Sequence, residues 1–102
     1  MINNKISIDD IKILIQPVAL RYGVERVYLF GSYARGNEME SSDIDFRIDN
    51  GAIQDLFELS GFHQELEDVL SESVDVLTTG SLDDKFLSRI ADEEVLIYER
   101  TR

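Results

Sequence analysis

Asp43, Ile44 and Asp45 put two carboxylates on one face of a single short strand, and no other stretch restricts the fold and chemistry of the chain as much. Successive strand residues point to opposite faces, so Asp43 and Asp45 share one face while Ile44, Phe46 and Ile48 form the other. Two carboxylates about 4 Å apart repel by about 4 kcal/mol at an effective dielectric of about 20. A fold that sets them side by side therefore needs a compensating charge, which a shared divalent cation supplies. Acids alternating with apolar residues are also what any half-exposed strand looks like, so the pair alone leaves both readings open. Ahead of it, Val27, Tyr28, Leu29 and Phe30 read as a buried strand end running into a Gly31-Ser32 turn, with ten residues between Ser32 and Asp43.

The surroundings narrow the chemistry. The 102 residues suit one domain, taken as 1–102, with a single core. With no cysteine, the chain has no disulfide, thiolate metal site or thiol nucleophile, and any metal sits on oxygen. Its 21 acids against 10 bases give a net charge of −11. That charge disfavours direct binding to nucleic acid or anionic lipid, suits a basic protein partner, and would require Mg²⁺ to screen the phosphates of a nucleotide. No apolar run reaches the about eighteen residues of a membrane span, and the start MINNKISIDD lacks the regions of a signal peptide. A cytoplasmic protein without a membrane segment is expected.

Hydrophobic spacing predicts a one-sided helix over residues 7–22, from Ile11, Leu14, Ile15, Val18, Ala19 and Tyr22, with Ser7 as N-cap and Gly23 just past the end. Pro17 predicts a kink or a division into two helices. Strands follow at 24–30, 43–48 and 73–78, with a closing strand at 94–98 whose Leu96, Ile97 and Tyr98 either cover the core or form an oligomer edge. A short helix is expected within 33–40, broken at Gly36 and Asn37. Longer helical patterns run over 53–70, interrupted or bent near Ser60 and Gly61, and over 82–91, capped by Ser81 with Phe86, Leu87 and Ile90 inward. Phe57, Phe62 and Phe86 are read as core and His63 as a surface or packing residue. The order predicts an α+β (mixed α/β) domain, a small mixed β-sheet flanked by helices, and the short link from Phe30 to Asp43 predicts antiparallel neighbours.

Chemistry gathers at the turn and the acids. Gly31 lets backbone approach a phosphate, and the Ser32 hydroxyl with the amides after it can donate to phosphate oxygens, although an ordinary tight turn also explains Gly-Ser. Arg35 is close enough in sequence to reach the same phosphate, or is simply solvated. Asp75 stands in an otherwise apolar strand, where a buried carboxylate is costly unless paired or metal-bound. Three carboxylates from two strands facing a phosphate-holding turn are the equipment of two-metal phosphoryl transfer. In that reading Asp43 and Asp45 bridge two Mg²⁺ ions, and Asp75 holds the second ion and accepts or orients the acceptor proton.

The combination of GSYARG, SDIDF and VDVLT resembles the minimal nucleotidyltransferase family of the DNA polymerase beta superfold. The resemblance covers nearly the whole chain. It implies that Gly31, Ser32 and Arg35 contact ATP, that Asp43 and Asp45 bind Mg²⁺, and that Asp75 is the third carboxylate. Members of this size resemble the antitoxins of two-component modules whose partner is a HEPN-domain ribonuclease toxin. By that resemblance the chain moves AMP from ATP to a tyrosine hydroxyl of the toxin. The competing expectations are an inactive antitoxin that neutralises by direct binding, and transfer to a small-molecule acceptor.

Overall fold

The computed structural model describes residues 6–35 and 43–101. Helix α1 (Ile8–Tyr22) begins where expected, with the Ser7 hydroxyl accepting from the Asp10 amide at 3.0 Å. It ends at Gly23, whose φ of +70° is the left-handed cap that glycine adopts without strain. A side chain there would also press on Ala52, since a Cβ would stand 2.8 Å from the Ala52 Cβ. The helix continues through Pro17, so the predicted division into two does not occur. The missing proline amide would have bonded the carbonyl of Ile13, a residue on the exposed side of α1, where water can satisfy that carbonyl.

Strand β1 (Arg26–Phe30) runs into the four-residue α2 (Ser32–Arg35) through Gly31. The remainder of the helix predicted over 33–40, with Gly36 and Asn37, lies outside the described residues. Strand β2 (Ile44–Asp49) pairs antiparallel with β1, in the predicted sense, and sets Phe30 opposite Asp45. Helix α3 (Leu56–Leu70) carries the chain back so that β3 (Val74–Thr78) lies parallel to β2. After a 3-10 turn at Thr79–Ser81 come α4 (Asp84–Ala91) and β4 (Val95–Glu99). The closing strand joins the sheet antiparallel to β1, giving the order β3-β2-β1-β4, a mixed sheet as expected.

Helix boundaries follow the caps more than the apolar spacing. Asp55 accepts from the Glu58 amide at 2.8 Å while Glu58 accepts from the Gln54 amide at 2.8 Å, a reciprocal box that starts α3 three residues after the buried Ile53. Asp83, not Ser81, caps α4, accepting from the Phe86 amide at 2.8 Å, because Ser81 is spent in the preceding turn, donating to the Thr78 carbonyl. Gly61 does not interrupt α3. Its lack of a side chain admits the Tyr22 hydroxyl, which a Cβ would meet at 2.9 Å, and Tyr22 then donates to Glu65 and sets its ring edge-on to Phe62 with centroids 5.6 Å apart.

One sheet face packs against α1 and α3. Ile11, Ile15, Val18 and Ala19 meet Phe62, Leu66 and Leu70 over Val27, Leu29, Ile44, Phe46 and Ile48, all buried. Phe86 and Leu87 of α4 are only half-buried. Phe57, expected in the core, is 90 % exposed beside the 80 % exposed Leu56, because α3 begins one turn later than its apolar pattern suggests and its first turn overhangs the core. Truncating Phe46 to Ala at the centre of the sheet is expected to cost about 3–5 kcal/mol, read as a lower urea midpoint at an unchanged slope.

Candidate active site

On the other face of the sheet β2 is polar, by the same alternation that turns its apolar residues inward. With Ile44, Phe46 and Ile48 turned into the core, Asp43, Asp45, Arg47 and Asp49 line the opposite side. The parallel register places Asp75 of β3 directly beside Asp45, and the antiparallel register places Phe30 on its other flank. Gly31 sits above, with φ +80°. A Cβ at Gly31 would run into the Asp45 carboxylate and would stand 3.2 Å from its Cγ. The turn residue and the acid thus form one fitted unit, in which a side chain at 31 would displace the carboxylate.

This packing shapes the charge of the site. Burial pushes the Asp45 carboxyl up to about 6 from 3.8, helped by the charges of Asp75 and Asp43 and by a hydrogen bond with Asp75, and opposed by Arg35. A carboxyl that holds its proton more tightly in the folded state stabilises the fold below the unfolded value of 3.8 and loses that contribution as pH rises through about 6. Metal-free protein is therefore expected to be less stable than Asp45→Asn at neutral pH, the gap closing as pH falls below about 6. Urea midpoints of both proteins across that range measure it.

Asp75 is exposed, which corrects the expectation of a carboxylate in an apolar pocket. Strand β3 is an edge of the sheet, and Asp75 stands exposed on it. Asp43 is also exposed and immediately precedes β2. Among the described residues no three His, Cys, Asp or Glu side chains are drawn together as a ready metal cage. The donor chemistry nevertheless fits Mg²⁺, because the interacting groups are all hard carboxylate oxygens and their mutual repulsion is what a divalent cation relieves.

The remaining predicted residues frame the acids. Ser32 opens α2 and is half-buried, and Arg35 closes it, its Nη1 3.0 Å from a Glu93 carboxylate oxygen. Beyond Asp45 on β2 stands Arg47, which the sequence reading did not single out. It is buried, donating to both oxygens of Glu94 at 2.6 and 3.1 Å and to the Thr79 hydroxyl at 2.8 Å, and its guanidinium lies 4.0 Å from the centroid of the Tyr28 ring. The only local signal for it is a cation at an alternate position on the acid face, since its partner lies 47 residues away. His63 is half-buried on α3 and donates from Nε2 to the Val74 carbonyl at 2.8 Å, a packing role as expected.

An antiparallel pair with a Gly-Ser turn at the end of its first strand, a parallel third strand, and Asp45 beside Asp75 in register are the layout of a polymerase beta-type nucleotidyltransferase. Residues 13–102 match the family model for polymerase beta nucleotidyltransferases, and the chain belongs to that family. It is 43 % identical over 89 residues to a chain of Methanocaldococcus jannaschii named provisionally as a protein adenylyltransferase, covering 87 % of this chain and 96 % of that one. It is 32 % identical over 77 residues to the protein adenylyltransferase MntA of Thermococcus cleftensis, covering 76 % and 78 %. Among solved structures, one described provisionally as a minimal nucleotidyltransferase superposes with a TM-score of 0.77 at 23 % identity, over 90 % of this chain and 97 % of that chain. A Shewanella oneidensis complex of a tri-AMPylated HEPN toxin with its MNT antitoxin superposes with a TM-score of 0.69 at 18 % identity, over 91 % and 73 %. These two superpositions show the same fold.

Proposed function

We propose that this chain is a Mg²⁺-dependent protein adenylyltransferase that moves AMP from ATP to a hydroxyl, that of a tyrosine, on a partner HEPN-domain ribonuclease toxin, and so acts as its antitoxin. The observation that carries the reading is Asp45 fitted under the Gly31 turn, beside Asp75 in the sheet register and within electrostatic reach of Asp43. The relatives named as protein adenylyltransferases and the fold shared with a toxin–antitoxin complex support the acceptor and partner.

In this reading Gly31, Ser32 and Arg35 bind the triphosphate, and Asp43, Asp45 and Asp75 hold two Mg²⁺ ions. The metal, when bound, neutralises the phosphate charge and lowers the pKa of the acceptor hydroxyl. Asp75, open to solvent at the sheet edge, is where an incoming tyrosine can reach, and it takes or orients the hydroxyl proton. The hydroxyl oxygen forms a bond to the α-phosphorus as the bond to the bridging oxygen breaks, and pyrophosphate leaves. Positioning and charge neutralisation do the work, with no covalent enzyme intermediate.

Incubation with α-phosphate-labelled ATP, Mg²⁺ and a lysate of the source organism tests the reading. Transfer to one protein, located by mass spectrometry on a tyrosine of a HEPN domain, is the expected result. A partner that co-purifies without ever taking up label would instead make the chain a binding antitoxin.

A further inference from the structure

Two consecutive glutamates at the junction of α4 and β4 each hold an arginine of the active-site face. Glu94 grips the buried Arg47, two residues beyond Asp45 on the same face of β2. Glu93 grips Arg35, at the end of the helix that follows the Gly31 turn. The turn that carries them is itself tied down, because the amides of Glu93 and Glu94 both donate to the Ile90 carbonyl at 3.0 Å. Glu94, bolted to the central strand, therefore fixes where its neighbour Glu93 can reach.

We infer that Glu93 is a positioning residue for nucleotide binding, holding the Arg35 guanidinium beside the acids so that it meets the ATP phosphates already oriented. The inference rests on the nucleotide-binding reading above. Arg35 is 47 % exposed on its side chain and lies on a helix of four residues, so nothing but this ion pair among the described contacts restrains its long side chain. An arginine bound through one nitrogen keeps the rest of its planar fork of donors for a second anion. Fixing that fork before ligand arrives removes part of the ordering cost of binding. Held at the end of the helix that follows the Gly31 turn, the Arg35 charge opposes the rise in the Asp45 pKa.

Calorimetric titration of MgATP into the full chain tests this with Glu93→Gln, Glu93→Asp, Arg35→Gln and the double variant Arg35→Gln, Glu93→Gln. Glu93→Gln is expected to weaken MgATP binding about fivefold with an unmoved melting temperature, and Glu93→Asp, which keeps the charge, to weaken it less. Arg35→Gln is expected to weaken binding more, and adding Glu93→Gln to it to change nothing, because Glu93 acts only through Arg35. Unchanged or tighter binding by Glu93→Gln, or effects that multiply in the double variant, would overturn the inference and leave the nucleotide site standing. Failure of the wild-type chain to bind MgATP would overturn both.

Discussion

Replacing Asp43 and Asp45 together by Asn is expected to slow AMP transfer by about a thousandfold or more while the protein stays folded. The two side chains would hold the charge that offsets the triphosphate, and their loss removes several kcal/mol of transition-state stabilisation, at about 1.4 kcal/mol for each factor of ten. Asn keeps the shape of Asp, so Gly31 still packs over position 45. The fold should in fact gain stability without metal, because the repulsion among Asp43, Asp45 and Asp75 is relieved. Falling activity with a rising melting temperature is the signature that separates loss of a site from loss of structure. A double variant that still transfers AMP at the wild-type rate would remove these acids from the mechanism.

Arg47→Met is expected to destabilise the protein by about 3 kcal/mol, a fall in melting temperature of about 10–20 °C for a domain of this size. Arg47 and Glu94 expose only 10 % and 13 % of their side chains, so removing the cation leaves a mostly buried carboxylate without its ion-pair partner. The Thr79 hydroxyl, which also donates to Asp49 at 2.6 Å, would lose its arginine as well. Removing both charges together, as Arg47→Met with Glu94→Leu, is expected to recover most of the loss, because a buried pair replaced by apolar groups forfeits the attraction and the desolvation penalty alike. Urea midpoints for the two single variants and the double variant complete the cycle. Equal destabilisation by Arg47→Met in the presence and absence of Glu94 would show that the two side chains do not act as a pair.

Much of this architecture is legible locally. Ser7 and Gly23 mark the ends of α1 because a hydroxyl cap and a left-handed glycine act within one turn of their own position. The strands are legible because alternation needs only a few residues, and the antiparallel pairing of β1 with β2 follows from a connection too short for a crossover. The same reasoning loses hold where a helix start depends on a competing cap. Asp55 and Asp83 displaced the predicted starts of α3 and α4, and with the first of them went the assignment of Phe57 to the core.

The sequence by itself determined that two acids share a strand face behind a Gly-Ser turn, because strand periodicity is a property of neighbouring residues. Only the tertiary structure decided what each acid experiences. Pairing in register set Asp75 beside Asp45, the position of β3 at the sheet edge left Asp75 exposed, and burial together with the neighbouring Asp75 and Asp43 charges raised the Asp45 pKa. It likewise decided that Arg47 and Arg35 answer to Glu94 and Glu93, residues 47 and 58 positions away. Burial and charge pairing are set by groups brought together from distant parts of the chain, and no window of neighbouring residues contains them.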